Sequence, residues 1–416
     1  MKTHNRFPWQ ICLLLTTSLL IHACKIEDIN KSNQPVDVRP LTSAEDRIVN
    51  GSNEFAFRIF SRLSQAEGSN NVFISPLSIS SALTMAYNGS NTETKEAFEK
   101  TLNMELQSEE EINQSYQSLY KLLVGIDPQV KFQSANSLWS NNNFTLQPPF
   151  VSTCQTFFDA RVQSLNFADP NAKNTINNWV NEKTNGRIES IVDEVRPEHL
   201  LFLINAIHFK GTWTYQFDPR KTVDGSFKLE NGGEVTTKFM ALEKARYRLY
   251  QDATKQLVEL PYGNGQFSMV LLVPQDQQKV AQLVDEMSSA NLNQWLIQAD
   301  STSLDLYLPK FTFAYEKTLN DILIDMGLGE AFGSHADFSR MMAGLEKGDA
   351  RISKVKHKAF VEVNEEGTKA AAATSVEIVL TISNPPRFIR LDRPFVFLIR
   401  EKATNTLLFA GKLMTP

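Results

Sequence analysis

The order of patterns along this 416-residue sequence predicts an α+β fold. Apolar residues at helical spacing cluster in the first half, strand-like runs dominate the second, and strand and helix do not alternate as they would in a parallel sheet. No linker interrupts the chain after residue 50, and there is no internal repeat and no low-complexity tract beyond four alanines. One large domain is therefore expected.

At the start, Lys2 and Arg6 precede a mostly apolar stretch, Ile11 to Ile21, which is too short to cross a bilayer and suits an export leader. It ends Ile21-His22-Ala23-Cys24, which resembles the lipobox of bacterial lipoproteins. The expectation is a signal peptide over 1–23, with Cys24 as the lipidated first residue; ordinary cleavage nearby and secretion is the alternative. Lys25 to Pro40 is polar and without apolar period, so 24–40 reads as anchor and tether and 41–416 as the folded domain. From Asn53, the residues Phe55, Ile59, Phe60 and Leu63 form one helical stripe, with Ser52 or Asn53 as cap. A further helix is expected from Pro76 through Ala82, Met85 and Ala86 to Gly89, and others around Ile112 to Leu123 and Thr175 to Glu182. Strands are expected at Phe132 to Trp139, Leu201 to Phe209, Leu257 to Leu260, Phe267 to Val273, Leu304 to Leu308, Ile352 to Val363 and Phe395 to Ile399.

Loss of the leader leaves 40 basic against 47 acidic residues, a formal charge of −7. A mildly acidic protein is a poor general binder of nucleic acid or of anionic membrane, so membrane contact is expected through the lipid anchor only. Cys154 would be the one cysteine remaining beside Cys24, which leaves no intramolecular disulfide. An exported enzyme is the obvious rival reading. Yet His199, His208, His335 and His357 lie in no H-E-x-x-H, and Gly333-Ser334-His335 lacks the elbow of an activated serine. There is no phosphate loop, and the adjacent Glu365 and Glu366 would point to opposite faces of a strand. No catalytic residue, metal or cofactor is expected. His357 shares a strand face with Val355, Ala359 and Val361 and reads as a satisfied core histidine.

One segment resists the bland reading. In EEGTKAAAATSVEIVLT, four alanines suggest a helix, but Thr374, Ser375, Val376, Ile378, Val379 and Thr381 are poor helix formers. With a period of two, Thr368, Ala370, Ala372, Thr374, Val376, Ile378 and Leu380 make an uncharged face. Both charges, Lys369 and Glu377, fall on the other. Ser383-Asn384-Pro385-Pro386-Arg387 then breaks the chain. The segment is written for a sheet that it need not occupy at first.

EVNEEGTKAAAAT resembles the hinge of the serpins, and DRPFVFLIREKATNTLLFAGKLMTP resembles their C-terminal strands. NVFISPLSISSALTMAYNGS, NNWVNEKTNGRI, LINAIHFKGTW, VELPYGNGQFSMVLLVP and LPKFTF are similar to further signatures of that family, in its order. The resemblance implies three sheets and about nine helices in one domain, with an exposed reactive loop over about 365–387. It implies a monomeric suicide-substrate inhibitor of serine endopeptidases, with cysteine endopeptidases a further class. Cleavage of the loop leaves an acyl-enzyme, and the loop then inserts into the main sheet. A non-inhibitory binding or chaperone-like module is the alternative.

The same resemblance assigns residues. Glu365, Glu366, Gly367, Thr368, Ala370, Ala371, Ala372 and Ala373 are the hinge. Ser75, Ser78, Asn205 and His357 are similar to the cluster where the sheet opens, and Trp213, Lys310 and Glu365 to the place where the loop first inserts. Family spacing from Glu365 gives Thr381-Ile382 as the scissile bond. Leu380 and Ile382 are alternates for the cleaved residue, and counting back from Pro394 gives Ser383. All are small or aliphatic, which suits an elastase-like or subtilisin-like pocket, whereas Arg387 lies too far along for a trypsin-like one.

Overall fold

A computed structural model describes residues 1, 38–275, 278–367 and 387–416. The chain divides into Met1–Gln34 and Pro35–Pro416, and every element below belongs to the second unit. Thr368, Ala370 to Ala373, Leu380 to Ser383 and Cys24 lie outside the described residues.

Nine α-helices and fourteen strands are found among the described residues. The helices are α1 Ser43–Glu67, α2 Pro76–Gly89, α3 Thr92–Leu102, α4 Glu109–Gly125, α5 Pro148–Phe158, α6 Ala172–Lys183, α7 Val280–Asp285, α8 Ser289–Gln298 and α9 Asn320–Leu323. The strands are β1 Val72–Ile74, β2 Val130–Asn141, β3 Arg161–Leu165, β4 Leu201–Gly211, β5 Val223–Lys228, β6 Glu234–Gln251, β7 Lys255–Tyr262, β8 Phe267–Pro274, β9 Asp300–Pro309, β10 Phe311–Thr318, β11 Lys356–Val363, β12 Arg387–Arg390, β13 Phe395–Glu401 and β14 Leu407–Leu413. They form three sheets: nine strands in the order β1-β14-β13-β8-β7-β6-β9-β12 with β5 on β6, three in the order β3-β2-β4, and the pair β10-β11.

The expected helix near Asn53 begins ten residues earlier. Thr42 accepts from the backbone N–H of Glu45, and the Glu45 carboxylate accepts from that of Thr42, a capping box that supplies the orphan helix-end donors. Ser52 and Asn53 are not caps. They are buried in mid-helix, Ser52 hydrogen-bonded to Ser80 at 3.2 Å and Asn53 donating to the Asn405 carbonyl at 2.8 Å. The tether reading also stops short of Pro40, because Arg39 forks onto Glu45 at 2.6 and 2.8 Å. Pro76–Gly89 matches its expected bounds, since Ser75 caps it and Pro76 supplies a pre-set first turn. The strand expected from Ile352 starts at Lys356, and helices are not confined to the first half, as α7 to α9 show.

Candidate functional site

Two sheets present neighbouring edges to the N-terminus of α2. In the three-stranded sheet, β2 pairs with β3 and β4, leaving β4 an outer edge; β11 is paired with β10. Among the described residues no ladder joins β4 to β11. Beyond the end of β4, an isolated bridge joins Thr212 to Gly367.

Four expected residues meet where α2 begins. The backbone N–H of Ser75 donates to His357 Nε2 on β11 at 3.3 Å, and its hydroxyl donates to the Leu408 carbonyl at 2.9 Å. The Ser75 hydroxyl also accepts from the Ser78 N–H, and the Ser78 hydroxyl donates to Asn205 Oδ1 on β4. One helix end thus holds both sheets, β11 through a backbone N–H and β4 through a hydroxyl. Burial pushes the His357 imidazole down to about 4, so it is neutral and free to accept at Nε2. The alternation expected for β11 is observed: His357, Ala359, Val361 and Val363 are buried and the residues between them are not.

Sequence reasoning missed Asn136. It faces Asn205 across the β2–β4 ladder, accepts from Asn205 Nδ2 at 2.6 Å and donates to the Phe158 carbonyl at 2.6 Å, extending the network into α5. Its signal was an asparagine on the same face as Phe132 and Leu138, both buried.

The second expected cluster lies at the end of β11. Lys310 Nζ reaches both Glu365 oxygens at 2.7 and 3.0 Å, and the Thr222 hydroxyl donates to Glu365 at 2.7 Å. Burial pushes the Glu365 carboxyl up, but these two donors outweigh it and hold it below the usual range. Trp213 Nε1 donates to the Asn364 carbonyl at 3.0 Å and its backbone N–H to that of Glu366 at 3.0 Å. Tyr262 stacks on the indole at 4.3 Å. Here φ is 122° at Gly367, and a Cβ would sit 2.2 Å from the Gly211 carbonyl oxygen, so only glycine fits against the end of β4.

The lysines at the start of β11, the end far from Gly367, are ion-paired. Lys356 lies 2.6 Å from Asp193 and 2.5 Å from Glu316, Lys358 lies 3.0 Å from Glu316, and Lys354 lies 3.4 Å from Asp193.

A family described as serpin (serine protease inhibitor) matches residues 50–416. Serpin B8 of Homo sapiens is 36% identical over 381 residues, covering 89% of this chain and 100% of that one. The leukocyte elastase inhibitor of Sus scrofa is 34% identical over 374 residues, covering 87% and 97%. Human thyroxine-binding globulin, a solved structure 28% identical, covers 90% of this chain and 100% of its own with a TM-score of 0.81.

Proposed function

This chain belongs to the serpin family, and we propose that it is a suicide-substrate inhibitor of serine endopeptidases with a preference for small or aliphatic residues. One observation carries the reading: β4 and β11 meet at Gly367, share no ladder among the described residues, and are both held by one helix end, whose Ser75 backbone N–H donates to His357 and whose Ser78 hydroxyl donates to Asn205. A strand inserted between such edges gains a ladder on each side.

The chemistry follows from the sequence beyond Gly367. A target serine attacks the carbonyl of Thr381, the bond to Ile382 breaks, and Thr381 is left esterified to the protease. The freed segment then competes with water. Each inserted residue contributes ~1 kcal/mol per ladder bond, and burial of Val376, Ile378 and Leu380 adds roughly 1.5–3 kcal/mol each. Thr368 and the alanines oppose little bulk to the first steps. A leukocyte elastase inhibitor among the relatives supports the pocket class; cysteine endopeptidases are proposed as a further class on the sequence resemblance alone.

The test mixes the full chain with elastase, subtilisin and trypsin, looks for a complex that survives boiling in detergent, and sequences the released C-terminal peptide. A complex with elastase or subtilisin and a new N-terminus at Ile382 are expected. Thr368→Arg should abolish the complex while cleavage continues, because an inward charge costs several kcal/mol and water then wins. Cleavage without any complex would instead favour a non-inhibitory binding module.

We also propose export and lipidation at Cys24, which would set the inhibitor on a bacterial membrane or cell surface. The leader and the lipobox-like Ile21-His22-Ala23-Cys24 support it. Cys24→Ala should move the protein from the membrane pellet to the soluble fraction after export; unchanged partitioning would remove the anchor.

A further inference from the structure

A small cavity of about 10 Å³ lies where α1 and the first turn of α8 meet the chain passing from β13 to β14. That is room for one water-sized sphere and too little for an organic ligand. Arg400, at the end of β13, lines it and is 7% exposed. Its Nη1 donates to Glu259 at 2.9 Å and its Nη2 to Asn405 Oδ1 at 3.0 Å, while its buried Nε–H has no acceptor among the described residues. Ser289, the first residue of α8, lines the cavity too, and its buried hydroxyl is likewise without a partner among them. The side-chain oxygens of the three asparagines in the lining are already taken. Asn53 Oδ1 accepts from the Leu407 N–H at 3.0 Å, Asn405 Oδ1 from Arg400, and Asn293 Oδ1 from Asn405 Nδ2 at 3.0 Å. The polar side chains still have the Arg400 N–H, the Asn293 amide N–H group and the Ser289 hydroxyl to offer.

We propose that this cavity holds a single halide ion, chloride in ordinary solution. A water molecule brings two hydrogens and would meet one remaining side-chain acceptor, the Ser289 oxygen, whereas a halide needs donors alone. Charge points the same way. Arg248, Arg400 and Lys402 face one another and two carboxylates, Glu259 and Glu401, so the cluster carries one surplus positive charge. Glu401 is moreover turned to the Ala403 and Thr404 N–H groups and the Thr404 hydroxyl. No carboxylate lines the cavity, and the N-terminus of a ten-residue helix adds its positive end. Asn53 of α1, Asn293 of α8 and Arg400 of β13 converge on Asn405. The ion completes that network and fastens two helices to the nine-stranded sheet.

The test follows thermal unfolding of the intact full-length protein as sodium chloride replaces sodium gluconate at constant ionic strength. No protease is present, so the outcome is independent of the inhibitory reading. A saturable rise in Tm of about 2–4 °C is expected, with bromide reproducing it and acetate not. The chloride NMR line should broaden in the presence of the folded protein. Ser289→Asp puts a carboxylate in the place of the ion, at a helix start where an acid is favoured. It should melt at least as high as the parent in saturating chloride and lose both the chloride-dependent rise and the excess broadening. Ser289→Ala removes one donor and should raise the chloride concentration of half effect about fivefold. A Tm that ignores the exchange of gluconate for chloride is the result for a cavity holding water only. That result, acetate matching chloride, or a chloride response unchanged in both Ser289 variants would each overturn the site.

Discussion

Two β regions of this molecule are held in opposite ways. In the nine-stranded sheet, every residue of β8, β13 and β14 is buried, and each of these strands is paired on both sides. Phe73 stacks on Phe397 at 5.6 Å and on Phe409 at 5.2 Å, and Phe311 meets Phe397 at 5.2 Å. Where β4 faces β11, the contacts are instead a serine pair, an asparagine and a histidine on one helix end. Apolar packing is lost only when the sheet unfolds. A polar network can trade its partners one at a time, so the second region can open while the first stays closed.

The largest expected effect breaks the first region. Phe397→Ala leaves a cavity beneath three aromatic neighbours and should cost about 3–5 kcal/mol, read as a lower denaturant midpoint at unchanged slope. The loop-cleaved protein should lose a similar amount, because the proposed insertion between β4 and β11 leaves this sheet unchanged. A cost confined to the intact form would mean that the nine-stranded sheet also rearranges.

The next effect sharpens the second region. His357 is depressed to about 4 by burial, against an ordinary value near 6.5 in the unfolded chain. Between those values the unfolded state binds the extra proton, so its contribution to stability is present above about pH 6.5 and is lost as pH falls toward 4. From pH 7 to pH 5 the loss should be roughly 2 kcal/mol. Glu365, whose pKa is lowered, contributes in the same direction only at more acidic pH. His357→Asn should remove the step between pH 7 and 5 in urea unfolding; a step that survives the substitution belongs to another group.

How much was legible follows from the same contrast. Pro76–Gly89 could be read because its cap, its proline and its apolar spacing are all local. The Thr42–Glu45 box was equally local, and Ser52 and Asn53 misled because a buried polar residue in mid-helix looks like a cap until its partners, Ser80 and Asn405, are known. β6 was passed over because the adjacent Glu243 and Lys244 interrupt its alternation, and the bulge between Leu242 and Ala245, where pairing with β9 shifts register, accounts for that interruption. The site residues came from family resemblance. Asn136 and Thr222 escaped because their partners, Asn205 and Glu365, lie 69 and 143 residues away. Such pairs are decided by topology, which no local window contains.

The smallest expected effect concerns the outer side of β11. Lys354, Lys356 and Lys358 form the richest basic run in the sequence, and a sulfated polyanion needs several such cations free to displace its counterions. Here the three face Asp193 and Glu316, and the Lys356 and Lys358 side chains are only 12% and 18% exposed. A polyanion would have to displace two carboxylates to reach them, against a formal net charge of −5 for the whole chain. The rate of complex formation with the best target should therefore change less than about threefold with heparin at physiological salt, where screening beyond ~8 Å already weakens lone charges. Asp193→Asn is the sharper arm, because it frees Lys354 and half of the Lys356 pairing while costing at most ~1 kcal/mol of stability. If the variant gains a salt-sensitive heparin acceleration that the parent lacks, the acids are what mask the run. A tenfold acceleration of the parent itself would instead mean that the run, or another surface, already binds the polyanion.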